Sequence, residues 1–88
     1  MAQQLDLLDG LIDLIEKVSP VPVEREAITR ETDFINDLLL DSLAFVSLIA
    51  LAEEFYGCSI AGVDGSESLD TVGDALDVLA RALRPAAA

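Results

Sequence analysis

The amino-acid sequence predicts an all-α fold, a small helical bundle made of three main helices plus one short helix. Apolar residues recur at helical spacing in three segments, Pro and Gly residues separate those segments, and no segment alternates like a strand. The chain has 88 residues, of which 52% are hydrophobic, enough for one small core. We therefore expect a single domain over residues 1–85 and a frayed tail over residues 86–88.

The first helix is predicted from roughly Gln4 to Val18. Gly10 weakens the pattern, but acidic residues fall between the apolar positions, as on an amphipathic helix. Pro20 and Pro22 end the helix, because neither can continue the hydrogen-bond ladder. The apolar face is formed by Leu5, Leu8, Leu11, Ile12 and Ile15.

A long loop without a sustained period follows, from Pro20 to Leu40. Thr32-Asp33-Phe34 resembles a local cap or turn. Long ordered loops are uncommon in compact domains and are often functional. Three apolar residues are expected to anchor this loop to the core: Phe34, Ile35 and Leu38.

The second helix is predicted to begin at Asp41 or Ser42 and to end near Tyr56, with Gly57 as its stop signal. The short helix is at most one turn within Val63–Leu69. The last helix begins at Thr71-Val72-Gly73-Asp74, a capping box with Asp in place of the usual Glu, and continues to Pro85. Its apolar residues are Ala75, Leu76, Leu79 and Leu83.

The second helix is apolar on more than one side. One side is typical of a core face and contains Phe45, Leu48, Ile49, Ala52 and Tyr56. The opposite side carries Leu43, Val46 and Ala50 among polar residues. A domain this small cannot bury both sides, so the second side is interpreted as a docking surface. Ordinary surface apolar residues, or residues covered by the long loop, are the alternative.

Asp41 and Ser42 precede this helix, and two interpretations are open. If Asp41 is the N-cap, the Ser42 hydroxyl is exposed at the positive end of the helix, which favours an attached phosphate. If Ser42 is the N-cap itself, it has no further chemistry.

Composition excludes several function classes. Seventeen acidic against five basic residues give a net charge of −12, which disfavours nucleic acid and anionic membranes as partners. There is no His, and Cys58 is the single Cys, so the usual general base and a Cys-rich zinc site are both missing. No segment has the ligand spacing of an EF-hand. An acidic N-terminus without a signal peptide and no apolar run long enough for a bilayer predict a cytoplasmic protein.

One stretch resembles the attachment site of acyl carrier proteins, which carry a D-L-G-x-D-S-L signature. Here it reads Asp37-Leu38-Leu39-Leu40-Asp41-Ser42-Leu43. The likeness extends over nearly the whole chain. Upstream it includes Ile28-Thr29 and Asp33-Phe34-Ile35. Downstream it includes Val46, Leu48, Glu53, Glu54, Tyr56, Ile60, Val72, Ala75, Leu76 and Leu79.

The resemblance implies a four-helix bundle and a carrier that is not an enzyme. Ser42 would hold 4′-phosphopantetheine from coenzyme A, and Asp41 would contribute to recognition by the phosphopantetheinyl transferase. The partner-docking residues would be Leu43, Val46, Ser47, Ala50, Glu53 and Glu54. Family members can shelter an acyl chain between their helices, in a pocket that would here contain Phe45, Leu48 and Leu76. The carrier would need no metal of its own and would be a monomer.

Departures from the family pattern indicate a specialised role. Leu39 replaces the signature glycine, Ala44 and Ser47 replace acids usual in fatty-acid carriers, and Phe45 replaces a small or polar residue. These changes favour polyketide, nonribosomal or other antibiotic-type biosynthesis over housekeeping fatty-acid synthesis. The partners would then be an acyltransferase and ketosynthase, or an adenylation-type loading enzyme. A peptidyl carrier and an unmodified acidic helical adaptor are the alternatives.

Overall fold

The computed structural model describes residues 2–63, 65–66 and 68–83. Three α-helices occur in this part of the chain: α1 (Ala2–Val18), α2 (Ser42–Tyr56) and α3 (Val72–Leu83). A single turn of 3-10 helix, Arg25–Ala27, lies in the long connection between α1 and α2. The all-helical class expected from the sequence is confirmed.

The core lies where α1 packs against both α2 and α3. Apolar side chains from all three helices and from the long connection meet there. The connection therefore contributes buried residues to the core and does not merely cross its surface. The most deeply buried large side chains are Phe34, Leu11, Ile15, Leu40, Leu79 and Val72.

Gly10 marks a close approach between α1 and α2. A Cβ atom at this position would collide with the Tyr56 hydroxyl oxygen. That hydroxyl donates a hydrogen bond to the Leu7 carbonyl oxygen at 3.0 Å. The glycine that weakens the helical pattern in the sequence therefore makes room for a side-chain link between the helices.

Arg25 ties the 3-10 turn to the exposed side of α1. Its guanidinium lies 2.7 Å from the Asp13 carboxylate, 2.9 Å from Glu16 and 3.8 Å from Asp9. These contacts raise the pKa of Arg25, chiefly through the hydrogen bond to Asp13. The pairs are exposed, so each contributes little to stability, but together they place the start of the loop.

The second half of the loop is fastened to the start of α3. Asp33 and Thr71 form an isolated antiparallel bridge. Backbone hydrogen bonds on either side of it join Phe34 N to Asp70 O at 3.0 Å and Val72 N to Thr32 O at 2.9 Å. A further bond joins Gly73 N to Arg30 O at 2.8 Å. The loop and α3 are thus held together by backbone contacts that no local pattern predicts.

The predicted capping box at α3 is present. The Thr71 hydroxyl accepts from Asp74 N at 3.2 Å, and the Asp74 carboxylate accepts from Thr71 N at 3.1 Å and Asp70 N at 3.0 Å. These hydrogen bonds lower the pKa of Asp74. The substitution of Asp for the usual Glu therefore preserves the reciprocal cap.

Of the three expected loop anchors, one is wrong. Phe34 and Leu38 are buried, but the Ile35 side chain is 65% exposed. Asp33 accepts hydrogen bonds from Ile35 N and Asn36 N, both at 2.8 Å, and so turns the chain tightly at this point. The turn directs Ile35 to the surface while its neighbour Phe34 enters the core.

The expected short helix within Val63–Leu69 lies partly outside the described residues. The described part forms successive turns, with Val63 N bonded to Ile60 O and Ser66 N to Val63 O, both at 3.0 Å. Pro85, the expected end of α3, and the tail 86–88 lie outside the described residues. Among the helices described, none is long and apolar enough to cross a bilayer.

Candidate functional site

The N-terminus of α2 is capped by Asp41. Its backbone is extended, and its carboxylate oxygen accepts from Ala44 N at 2.8 Å. Asp41, and not Ser42, is therefore the N-cap residue, and Ser42 is the first residue of the helix. At the other end Gly57 has the left-handed conformation of a helix stop, with φ 66°.

Ser42 is exposed beside this cap. Its hydroxyl makes no hydrogen bond within the described part of the chain. Since Asp41 satisfies the first-turn amide, the Ser42 hydroxyl has no structural task and can be reached from solvent. The positive end of the α2 dipole lies at the same place and would stabilise a negative group attached there.

The two apolar residues that the sequence predicts for partner docking, Leu43 and Val46, project from the protein. Leu43 is 75% exposed and Val46 is 61% exposed. Ala50 and Glu54 are exposed as well, and Ser47 is half-buried. These side chains share the side of α2 that faces away from the core.

Two further exposed apolar residues lie in the loop just before α2 and were missed by the sequence reasoning. They are Ile35 and Leu39, the latter with 56% of its side chain exposed. The sequence did contain a signal for this exposure. Apolar residues are consecutive in Asp33-Phe34-Ile35 and in Asp37-Leu38-Leu39-Leu40, and consecutive side chains cannot all point into the core. The loop before α2 therefore exposes more apolar surface than expected.

Glu53 has a different position from its neighbour Glu54. Its side chain is half-buried, and its carboxylate accepts from Ile60 N at 2.7 Å. The bond holds the chain where it returns to the core after α2. Sequence spacing could not separate the two glutamates, because the acceptor role depends on a loop seven residues away.

Phe45 and Leu48 line an apolar cleft between the helices and the loop. Phe45 packs edge-on against Phe34, with ring centroids 5.3 Å apart. The cleft holds only about 20 Å³ of free space. Leu76 is buried in the core but is not among its lining residues, which also include Leu11, Ile49, Ala52, Ile60, Leu69, Ala75, Val78 and Leu79.

Leu39 has a backbone conformation that side chains disfavour. Its φ is 58°, in the left-handed region. For a residue with a Cβ atom that region costs about 1–2 kcal/mol. The position where the family signature has glycine thus requires the conformation that glycine adopts most easily.

Cys58 is free and half-buried just after α2. Burial, with a smaller contribution from Glu53, raises the pKa of its thiol. A thiol shifted in this direction is a poor nucleophile at neutral pH. Within the described residues, no group of three or more acidic, Cys or His side chains is placed to hold a metal ion.

These features define a small helical protein with an exposed serine at a capped helix N-terminus. Residues 9–79 match the family model described as a phosphopantetheine attachment site. The chain is 38% identical over 77 residues to an acyl carrier protein of Acidothermus cellulolyticus, covering 88% of each chain. It is 39% identical over 74 residues to an acyl carrier protein of Porphyromonas gingivalis, covering 84% of this chain and 91% of that one.

A third relative is the meromycolate extension acyl carrier protein of Mycolicibacterium aurum. It is 37% identical over 73 residues, which cover 83% of this chain and 72% of the relative. The chain belongs to the acyl carrier protein family. It is a carrier and not a catalyst, and its cofactor is covalently attached 4′-phosphopantetheine.

Proposed function

We propose that this protein carries a biosynthetic intermediate as a thioester on a phosphopantetheine arm attached to Ser42. The observation that carries the proposal is the hydroxyl of Ser42, which is exposed and free of hydrogen bonds within the described residues beside a helix already capped by Asp41. Serine in this position is available for modification without loss of the cap.

Attachment is a phosphoryl-group transfer. The Ser42 hydroxyl oxygen forms a bond to the phosphorus of the pantetheine phosphate, and the pyrophosphate bond of coenzyme A breaks. The serine proton is lost, and adenosine 3′,5′-bisphosphate leaves. Mg²⁺ belongs to the transferase that performs this step. The carrier contributes an accessible hydroxyl and the positive end of α2, and Asp41 keeps that end formed while the transferase binds.

Partner enzymes are proposed to dock on the exposed side of α2. The docking face consists of Leu43, Val46, Ser47, Ala50 and Glu54. Apolar residues surrounded by polar ones are the usual composition of such a contact. Glu53 is proposed to support this face and not to contact the partner directly, because its carboxylate already accepts a hydrogen bond from Ile60 N.

The cargo is proposed to be short, polar or aromatic, or to stay outside the core. The cleft lined by Phe45 and Leu48 has about 20 Å³ of free space. A long alkyl chain would have to displace the Phe45 ring from its contact with Phe34. Truncating a fully buried phenylalanine costs about 3–5 kcal/mol, so displacing the half-buried Phe45 ring would cost part of that amount and would oppose sequestration.

A role in a dedicated pathway of polyketide or nonribosomal type, and not in general fatty-acid synthesis, is supported by four departures from the family pattern. These are Leu39, Phe45 and the uncharged pair Ala44 and Ser47. One relative has meromycolate extension in its name, so relatives at this level of similarity include carriers of dedicated pathways. Acyltransferase and ketosynthase partners fit the D-S-L form of the site. Adenylation-type loading enzymes would identify a peptidyl carrier instead.

The test of the attachment site is intact-mass spectrometry after incubation with a phosphopantetheinyl transferase, coenzyme A and Mg²⁺. One arm is expected on the native chain and none on Ser42→Ala. Ser59→Ala, which changes an exposed serine outside the docking face, is the matched control and should still gain one arm. No mass gain with several transferases of broad specificity would refute the carrier function and favour an unmodified helical adaptor.

A further inference from the structure

A hollow lies between the end of α1 and the first turns of α2, and it is lined by both chain neighbours of Ser42, though not by Ser42 itself. It has a volume of about 370 Å³ and is a shallow groove, widely open to solvent. Volumes of this order are typical of small-molecule sites. Asp41 and Leu43, which flank Ser42 in the chain, both line it. The other lining residues are Lys17, Val18, Pro20, Ala44 and Ser47.

Lys17 contributes a positive charge to this hollow. Arg25 is paired with three carboxylates and Arg30 with Asp77, whereas Lys17 forms no ion pair in the described part of the chain. Lys17 would attract a negative group held nearby.

Asp41 is the one carboxylate that lines the hollow, and it would oppose an anion there. Its oxygen accepts from Ala44 N at 2.8 Å, so part of its charge is directed into the helix end. Ala44 and Ser47 are small and uncharged, so they neither fill the hollow nor compete for Lys17. The remaining lining is apolar, from Val18, Pro20 and Leu43.

The phosphopantetheine arm combines a negative charge with an apolar group, which complements the cation and the apolar residues that line the hollow. It begins with a phosphodiester, continues with a branched dimethyl group and a hydroxyl, and ends with two amides and a thiol. A cation in the hollow would attract a phosphodiester on Ser42, and apolar walls would favour contact with the dimethyl group. The cleft of about 20 Å³ at Phe45 is too small for either.

We propose that the arm on Ser42 folds back into the hollow between α1 and α2. Lys17 pairs with the phosphodiester, and Leu43, Ala44 and Val18 contact the dimethyl group. The proposal rests on the proposed attachment at Ser42. It implies that the carrier presents its cargo from the α1 side of α2, and that Lys17 holds the arm between partner visits.

Nuclear magnetic resonance of the apo and holo protein tests this inference. Mass spectrometry first establishes that the arm is attached, so a failure to attach counts against the proposed function and not against the inference alone. In the holo protein, nuclear Overhauser contacts are expected between the arm's methyl groups and the methyls of Val18, Leu43 and Ala44. The amides of Ser47 and Ala44 should shift between the apo and holo forms.

Lys17→Gln isolates the ion pair, with Arg30→Gln as a control that removes a cation remote from the hollow. We expect Lys17→Gln, or added salt, to weaken the contacts about twofold, the scale of one exposed ion pair, and Lys17→Arg to restore them. Contacts at Phe45 and Leu48, or no contacts beyond Ser42, would overturn the proposal. Contacts in the hollow that are indifferent to Lys17→Gln would overturn the role of Lys17.

Discussion

The carboxylate of Glu53 accepts a hydrogen bond from the backbone N–H of Ile60, while the next residue, Glu54, projects into solvent. Two adjacent acids of identical chemistry thus have separate tasks. One closes the loop that follows α2, and the other is exposed and forms no hydrogen bond or ion pair among the described residues.

Glu53→Ala should lower the free energy of unfolding by about 1 kcal/mol, because it leaves the Ile60 amide without its acceptor. Glu54→Ala is the matched control, and its stability should change by less than about 0.5 kcal/mol. Chemical denaturation measures both. Equal losses in the two variants would show that the Glu53 contact contributes nothing specific.

Val46→Asp should impair transfer from partner enzymes, because it places a charge at the centre of the apolar docking face. Removing one exposed anchor is expected to cost about 1–2 kcal/mol of binding, or roughly 5- to 30-fold in kcat/KM. The helical circular dichroism spectrum should be unchanged. Val21→Asp, which changes an exposed valine in the loop, is the control. If both variants behave like the native chain with every partner tested, the docking face is misplaced.

An octanoyl thioester on the holo protein should leave the amides around Phe45 and Leu48 unshifted relative to a short polar thioester. Phe45→Leu should enlarge the cleft and let octanoyl-specific shifts appear there, with slower hydrolysis of the thioester. Phe55→Leu changes a phenylalanine that is 60% exposed on the same helix and should do neither. Large octanoyl shifts in the native protein would mean that the ring moves aside without difficulty.

Leu39→Gly should stabilise the fold by about 0.5–1 kcal/mol. The substitution relieves a left-handed conformation that costs about 1–2 kcal/mol, and the greater entropy of glycine in the unfolded chain offsets part of that gain. Leu39→Ala removes the side chain but keeps the strain, so it should give no such gain. Thermal unfolding of the pair would decide, and a destabilised glycine variant would mean that the Leu39 side chain contributes more than its backbone costs.

Acid should destabilise the fold through Asp33 and Asp74. Backbone hydrogen bonds lower the pKa of both carboxyls in the folded state. Since the unfolded value is about 3.9, their contribution is complete above that pH and is lost as the pH falls through the lower folded values.

Asp74→Asn should therefore be less stable than the native chain at pH 7, and the difference should shrink towards pH 3. Denaturation midpoints across this range measure it. Glu54→Gln, which alters an exposed carboxylate with no hydrogen bond among the described residues, is the control and should stay within about 0.5 kcal/mol of the native chain at pH 7. A difference for Asp74→Asn that persists unchanged at pH 3 would contradict the assignment.

Local signals in the sequence were sufficient for much of the fold. The limits of α2 follow from Asp41 and Gly57, and the start of α3 from the Thr71–Asp74 box, because caps and stops depend on nearby residues. Gly10 looks like a weakness in the helical pattern, because the pattern does not show that the hydroxyl of Tyr56, distant in the chain, packs against it. Ile35 was misplaced for a related reason, since the Asp33 turn reverses the side chain's direction.

The candidate site divides in the same way. The exposure of Ser42 depends on whether Asp41 or Ser42 itself is the N-cap of α2. The sequence alone allows both. The exposure of Leu43 and Val46 follows from helical spacing. The separate positions of Glu53 and Glu54, the narrow cleft and the hollow beside Lys17 all depend on tertiary packing, which periodicity does not contain.

The backbone bridge between Asp33 and Thr71 has a consequence for how the molecule opens. Backbone hydrogen bonds on both sides of the bridge join the loop to the start of α3. The loop and the first turn of α3 must therefore move away from the rest of the protein together. Amide hydrogen exchange at Phe34, Val72 and Gly73 should accordingly proceed through one shared opening event with one free energy. Conformational freedom during cargo handling would then belong to α2 moving relative to a joined unit of loop and α3.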